Sequence, residues 1–252
     1  MNIQNVVALV TGAGSGLGLA TCQALVAAGA KVMAVDVDEE RLVNNVLPLG
    51  SSVRIQRVDV SNDAEVKAAV DFAVQAFGSL QVAVNCAGIL GPCKTLSKGE
   101  LFPLSLWNQV IAVNLTGTFN VIRHASLAMS RNTASEDGER GVIVNTSSGA
   151  AWQGQMGQAA YSATKAGVMG MTLPVSRDLA QHGIRVVAIA PGLFETGMSA
   201  GMPPKVSQGL IDNSILFPHR MGRPQEFASL VQHIVENAYF NATTISLDAG
   251  TR

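Results

Sequence analysis

The sequence predicts an α/β chain: one doubly wound domain, a seven-stranded parallel sheet with helices on both faces. Three observations predict it. Short apolar runs recur along the 252 residues, each followed by a longer stretch with helical spacing. Such alternation joins parallel strands through helical crossovers. The chain is 48% hydrophobic and only 14% charged, as strands buried on both faces require. Its length suits a single core near the upper size for one domain, so residues 1–252 form one unit.

The elements follow in order. VVALV at 6–10 is the first buried strand, 17–28 the first helix and KVMAV at 31–35 the second strand. Residues 53–57, 82–84, 142–144, 185–189 and 244–247 complete the seven strands. RNTASEDGERG at 131–141 is polar and predicts a surface loop between a helix and a strand. Residues 192–220 mix Gly, Pro, Met and Phe without clean periodicity. A long amphiphilic segment of that kind suits a cover over an apolar substrate. Pro174 falls inside the helix predicted over 161–181 and should remove one backbone hydrogen bond and kink it.

A formal net charge of −1, with Lys and Arg scattered, gives nothing that attracts nucleic acid or an anionic membrane. Cys22, Cys86 and Cys93 cannot all pair, and no metal-ligand spacing is present, so reduced thiols and no metal are expected. The first strand leaves no room for a signal peptide before it, and no apolar run reaches membrane-spanning length. Cytoplasm is the expected compartment, or the mitochondrial matrix in a eukaryote.

TGAGSGLG, residues 11–18, sits between a strand and a helix. Glycines at 12, 14, 16 and 18 let the backbone approach a pyrophosphate closely, and the helix amino end adds partial positive charge. That is the Rossmann-type arrangement for a dinucleotide. Asp36, after the second strand, either accepts hydrogen bonds from the adenosine ribose or caps the helix that VDEER begins. Ser15 and Val37 offer no cation for a 2′-phosphate, which favours NAD.

Tyr161 and Lys165 are four apart and share a helix face, and Ser148 follows a strand on the sheet edge where ligands bind. Oxidising an alcohol needs a base for the hydroxyl proton while hydride leaves its carbon. A free Tyr titrates near ~10, and bringing it to neutral pH takes about 4 kcal/mol, supplied by a nearby ammonium and the positive nicotinamide. Ser148 can donate to the oxygen whose charge changes. Taken singly, such residues are more often packing, a solvated face and a turn.

The order TGAGSGLG, NCAG (85–88), Asn114, Ser148, YSATK (161–165) and PG (191–192) resembles the short-chain dehydrogenase/reductase superfamily over essentially the whole chain. NCAG replaces the family's NNAG, with Cys86 the departure. The resemblance implies Ser148, Tyr161, Lys165 and Asn114 as the catalytic set, Asn114 anchoring a water that relays protons from Lys165. It implies dinucleotide contacts at Gly12, Ser15, Gly16, Leu17, Gly18, Asp36, Asn85, Ala87, Gly88, Tyr161 and Lys165. Asp59 and Val60 would meet the adenine, and Pro191, Gly192 and Thr196 the nicotinamide. Two long helices near 103–131 and 154–181, with the last strand and tail, would pair copies into a homotetramer.

Residues 154–180, VNLTGTFNVIR (113–123), IRVVAIAPGLF (184–194) and ISLDAGTR are similar to the type II 3-hydroxyacyl-CoA dehydrogenases, also called type 10 17β-hydroxysteroid dehydrogenases. Residues 91–103 are less so. That similarity implies a 3-hydroxyacyl-CoA oxidised to its 3-oxo form, Gln155 beside the substrate with Ser148 and Tyr161, and a cover formed by Leu193, Phe194, Met198, Met202, Leu210, Ile211 and Phe217. The CoA nucleotide would lie outside, by Lys205 or Arg220, unless those cations are simply solvated. The alternatives are a hydroxysteroid dehydrogenase, a 3-oxoacyl-[acyl carrier protein] reductase, or an inactive dinucleotide-binding module.

Overall fold

The computed structural model describes residues 1–201 and 203–251. Its main sheet has seven parallel strands: β1 (Val7–Thr11), β2 (Lys31–Asp36), β3 (Val53–Arg57), β4 (Val82–Asn85), β5 (Gly141–Thr146), β6 (Ile184–Pro191) and β7 (Thr243–Leu247). They lie in the order 3-2-1-4-5-6-7. The order reverses between β1 and β4, so the crossovers before and after that point pass on opposite faces and leave a crevice at the carboxyl ends of the two strands.

Strand alternation divides the core. Ala8, Val10, Val32, Ala34, Val84, Val144 and Ile189 face one layer, with α1 (Gly16–Ala27) and the helix Pro224–Glu236 packed on them. Val7, Leu9, Met33, Val35, Ala83, Ile143 and Val186 face the other, under the helices Asp63–Phe77, Gly117–Met129 and Ala159–Ala180. Both faces are covered, which explains why these strands are continuous apolar runs rather than alternating ones.

The strands fall where the sequence places them, within a few residues at each end. Helix Ala159–Ala180 continues through Pro174 as one element, its sheet side held by Val168, Thr172 and Ser176, whose Oγ donates to the Val186 carbonyl at 3.1 Å. Val168 is core. The segment after β6 is more regular than its composition suggests, with the short helix Gly197–Ala200 and the helix Pro204–Ser214. The polar run 131–141 is a loop, yet its Glu139 side chain is buried against Arg185 at 2.7 Å, and Arg185 also donates to the Ile234, Val235 and Phe240 carbonyls. An exposed two-stranded hairpin, Leu96–Ser97 with Glu100–Leu101, was not foreseen.

Candidate active site

The crevice is a cleft of about 980 Å³. Its floor is the glycine loop. Gly12 has φ +63, and a Cβ there would lie 2.8 Å from the Ala87 nitrogen. At Gly18 a Cβ would run into the Gly12 carbonyl. Ser15 is the N-cap of α1 and its side chain makes no capping bond, so the helix amino end points its N–H groups at the cleft. Bare backbone, close approach and a helix amino terminus fit a pyrophosphate.

Asp36 closes one end. The Gly14 N–H donates to its Oδ2 at 2.9 Å and the Asp38 N–H to its Oδ1 at 3.0 Å. Each oxygen keeps a lone pair for a ribose hydroxyl. Capping belongs to Asp38 instead, which accepts from the Arg41 N–H. Gly12, Ser15, Gly16, Leu17, Gly18, Asp59, Val60, Ala87, Gly88, Pro191, Gly192 and Thr196 all line the cleft, as do Ser148, Gln155, Tyr161 and Lys165.

Two expected residues stand elsewhere. Asn85 is buried below the cleft and donates to Asn145 Oδ1 at 2.9 Å, tying β4 to β5. Asn114 is fully buried in a π-helical turn, Ala112–Thr116. It does not bond locally. Its Oδ1 accepts from the Ile89 N–H at 2.8 Å, and its Nδ2 donates to the Ile89 carbonyl at 2.9 Å. It therefore fixes the strand-to-loop segment that carries Ala87 and Gly88. A π turn inside a helix is a frequent mark of a functional position.

Lys165 is 4% exposed. Its ammonium donates to the Thr146 carbonyl at 2.7 Å and sits 5.6 Å from the centre of the Tyr161 ring. Burial pulls that ammonium down to about 8, with the Cys86 thiol beside it acting the other way. Burial pushes the Tyr161 phenol up from its ordinary value, partly offset by its hydrogen bond with Ser148. The sequence predicts a lowered Tyr161. Burial works against that lowering, and the Ser148 hydrogen bond offsets burial only in part.

The cleft is also lined by Gln109, Gln153, Gln155 and Gln158 among apolar side chains. Leu193, Phe194, Met198 and Leu210 also line it, whereas Ile211 and Phe217 do not, and Met202 lies outside the described residues. Arg220 is forked onto Glu226 at 2.7 and 2.9 Å, so it is not a free cation. Sequence reasoning missed Gln153, whose Nε2 donates to the Thr251 carbonyl, and Arg41 beside Asp36. Both are brought in by tertiary contacts that no local motif marks. Among the described residues no group of three or more His, Cys, Asp or Glu could hold a metal ion, and no helix is long and apolar enough to cross a membrane.

Residues 6–206 match the family model for short chain dehydrogenases. The chain belongs to that family. It is 46% identical to the 3-hydroxyacyl-CoA dehydrogenase type-2 of Bos taurus over 253 aligned residues, covering 100% of this chain and 97% of that protein. It is 47% identical to the protein of the same name from Drosophila melanogaster, covering 99% and 98%. A crystal structure of 3-hydroxyacyl-CoA dehydrogenase type-2 from Mycobacterium avium superposes with a TM-score of 0.93 at 34% identity, covering 98% of this chain and 96% of that one. This short-chain dehydrogenase is an oxidoreductase that uses a nicotinamide dinucleotide and a small-molecule substrate.

Proposed function

We propose that this dehydrogenase oxidises a short or medium 3-hydroxyacyl-CoA with NAD. The observation that carries the substrate reading is the lining of the cleft. Among the described residues its cations are Arg41, at the Asp36 end, and Lys165. The substrate half is neutral, built of glutamines and apolar groups. A free carboxylate or phosphate would find no counter-charge there, whereas an uncharged thioester with an acyl chain needs none. The names of the relatives accord with that chemistry.

When bound, the nicotinamide dinucleotide accepts or returns the hydride. The chain's residues do the rest. Tyr161 takes the hydroxyl proton, and Ser148 donates to the same oxygen and holds it in place. Lys165, anchored on Thr146, supplies positive charge beside the phenol and a donor for the ribose. Asn114 positions the loop at Ile89 and, with a water, connects Lys165 to solvent. Gln155 borders the thioester. Leu193, Phe194, Met198 and Leu210 cover the acyl chain, with Phe194 and Met198 excluding water. Asp36 supports NAD over NADP by accepting from both ribose hydroxyls and repelling a 2′-phosphate. An oxidised NAD pool in cytoplasm or mitochondrial matrix suits the oxidative direction.

The protein is further proposed to act as a homotetramer with two-fold axes. Phe119, Leu127 and Leu173 are exposed on the helices Gly117–Met129 and Ala159–Ala180, which supports helix pairing.

The decisive experiment is a panel of steady-state rates with NADH and NADPH on acetoacetyl-CoA, a branched 3-oxoacyl-CoA and a steroid ketone. The highest kcat/KM is expected for an acyl-CoA with NADH. A higher value for the steroid would replace the acyl-CoA reading by that of a hydroxysteroid dehydrogenase.

A further inference from the structure

The segment beside the Asp36 end of the cleft is acidic, with Asp38, Glu39 and Glu40 following soon after Asp36, which is the carboxylate of the four that lines the cleft. Arg41 is the one cation lining that end among the described residues. It belongs to the wall: a Cβ added at Gly14 would meet the Arg41 Cβ at 2.9 Å and Asp36 Oδ2 at 3.1 Å. Its guanidinium is held. Arg41 Nε lies 3.0 Å from Asp38 Oδ2, while the Arg41 N–H donates to Asp38 Oδ1 at 3.0 Å. Arg57, the Cα partner of Asp36 across the sheet, lies 3.9 Å from Glu65 and does not line the cleft.

We infer that the Asp38–Arg41 ion pair sets how strongly this site rejects a 2′-phosphorylated dinucleotide. An arginine near the acidic residue is what accommodates the 2′-phosphate of NADP in dinucleotide-binding folds, through its planar fork of donors. Here one edge of that fork faces Asp38, and the same carboxylate offsets the positive charge that the phosphate would meet. The rejection therefore has two parts: direct repulsion by Asp36, and a counter-charge kept occupied by Asp38. Both side chains of the pair are well exposed, 58% and 39%, so the second part is a modulation of a few fold rather than a block. The inference rests on the proposed reading that the adenosine ribose lies against Asp36.

Asp38→Asn isolates it, because Asn keeps the N-cap acceptor and removes only the charge. Dissociation constants for NAD and NADP are measured by titration calorimetry at low ionic strength, where exposed charges are least screened. The unmodified protein, Asp38→Asn, Arg41→Ala and the double variant are compared. Asp38→Asn is expected to tighten NADP about fivefold while NAD changes less than twofold, and the gain should vanish in the double variant. An unchanged NADP constant overturns the inference. So does a gain that persists without Arg41, which would make Asp38 a simple source of repulsion, or a loss of both nucleotides, which would make it a structural cap alone. Equal binding of NAD and NADP by the unmodified protein would defeat the NAD reading instead, and the effect of Asp38→Asn with and without Arg41 would still decide the role of the pair.

Discussion

The Lys165 ammonium donates to the Thr146 carbonyl at 2.7 Å, joining the helix that carries Tyr161 to the end of the strand that leads to Ser148. This hydrogen bond thus helps fix the relative placement of three side chains from two elements. The Ser147 hydroxyl reinforces it by donating to the Lys165 carbonyl at 2.8 Å.

That anchoring has a pH consequence. Burial pulls Lys165 down to about 8. Below that pH the ammonium is charged before a dinucleotide arrives. Above it, binding must first take up a proton, so the dissociation constant rises with pH, by at most tenfold per pH unit. A fluorescence titration with NADH from pH 6.5 to 9.5 checks this. Lys165→Met should bind more weakly and lose the pH dependence. A flat profile in the unmodified protein would contradict the assigned contact.

The glycine loop allows no side chain at its tightest point. Gly18→Ala drives a methyl into the Gly12 carbonyl, and the backbone must shift. A destabilisation of about 1–3 kcal/mol is expected, together with a loss of dinucleotide affinity of more than tenfold. Chemical denaturation and calorimetry measure the two separately. Normal affinity would show that the loop does not cradle the pyrophosphate.

Much of this was legible beforehand, for identifiable reasons. The seven strands are apolar runs because both faces are buried, and the glycine loop, Tyr161 and Lys165 are local patterns. Asn114 was found by family resemblance, but its π turn was not, since the short segment Ala112–Thr116 is too brief to carry a periodic signal of its own. Arg41 is not marked in the sequence, because it lies beyond positions 15 and 37 and only folding sets its side chain against Gly14. The hairpin at 96–101 has two-residue strands with exposed side chains, too short for a periodic signal. The Glu139–Arg185 pair joins residues 46 apart in sequence, and nothing local marks it.

That pair makes a stability prediction. Glu139→Leu leaves Arg185, 6% exposed, without its carboxylate, and it also removes the partner that the Met1 ammonium has at 3.2 Å. Breaking a buried pair from one side costs roughly 3–5 kcal/mol, and the three backbone carbonyls that Arg185 also reaches hold the loss to the lower end. Urea unfolding should show it with kcat/KM unchanged per folded molecule. A shift below about 1 kcal/mol, the scale of an exposed pair, would mean that the pair is solvated in solution.

Phe194 is bridged to Gly222, where a Cβ would lie 2.7 Å from its ring. Gly222→Ala should displace Phe194 and raise KM for an acyl-CoA several fold, with the NADH dissociation constant within twofold of normal. An equal loss in both would assign this segment to the dinucleotide rather than to the acyl chain.

The most direct test is Tyr161→Phe, which keeps the ring and removes the titrating oxygen. Turnover of acetoacetyl-CoA by NADH is measured alongside NADH binding. The account predicts a fall in kcat of at least a thousandfold, with the dissociation constant for NADH nearly unchanged, because the glycine loop, Asp36 and Lys165 remain. Turnover within tenfold of the unmodified enzyme would contradict the assignment of Tyr161 as the group that moves the proton.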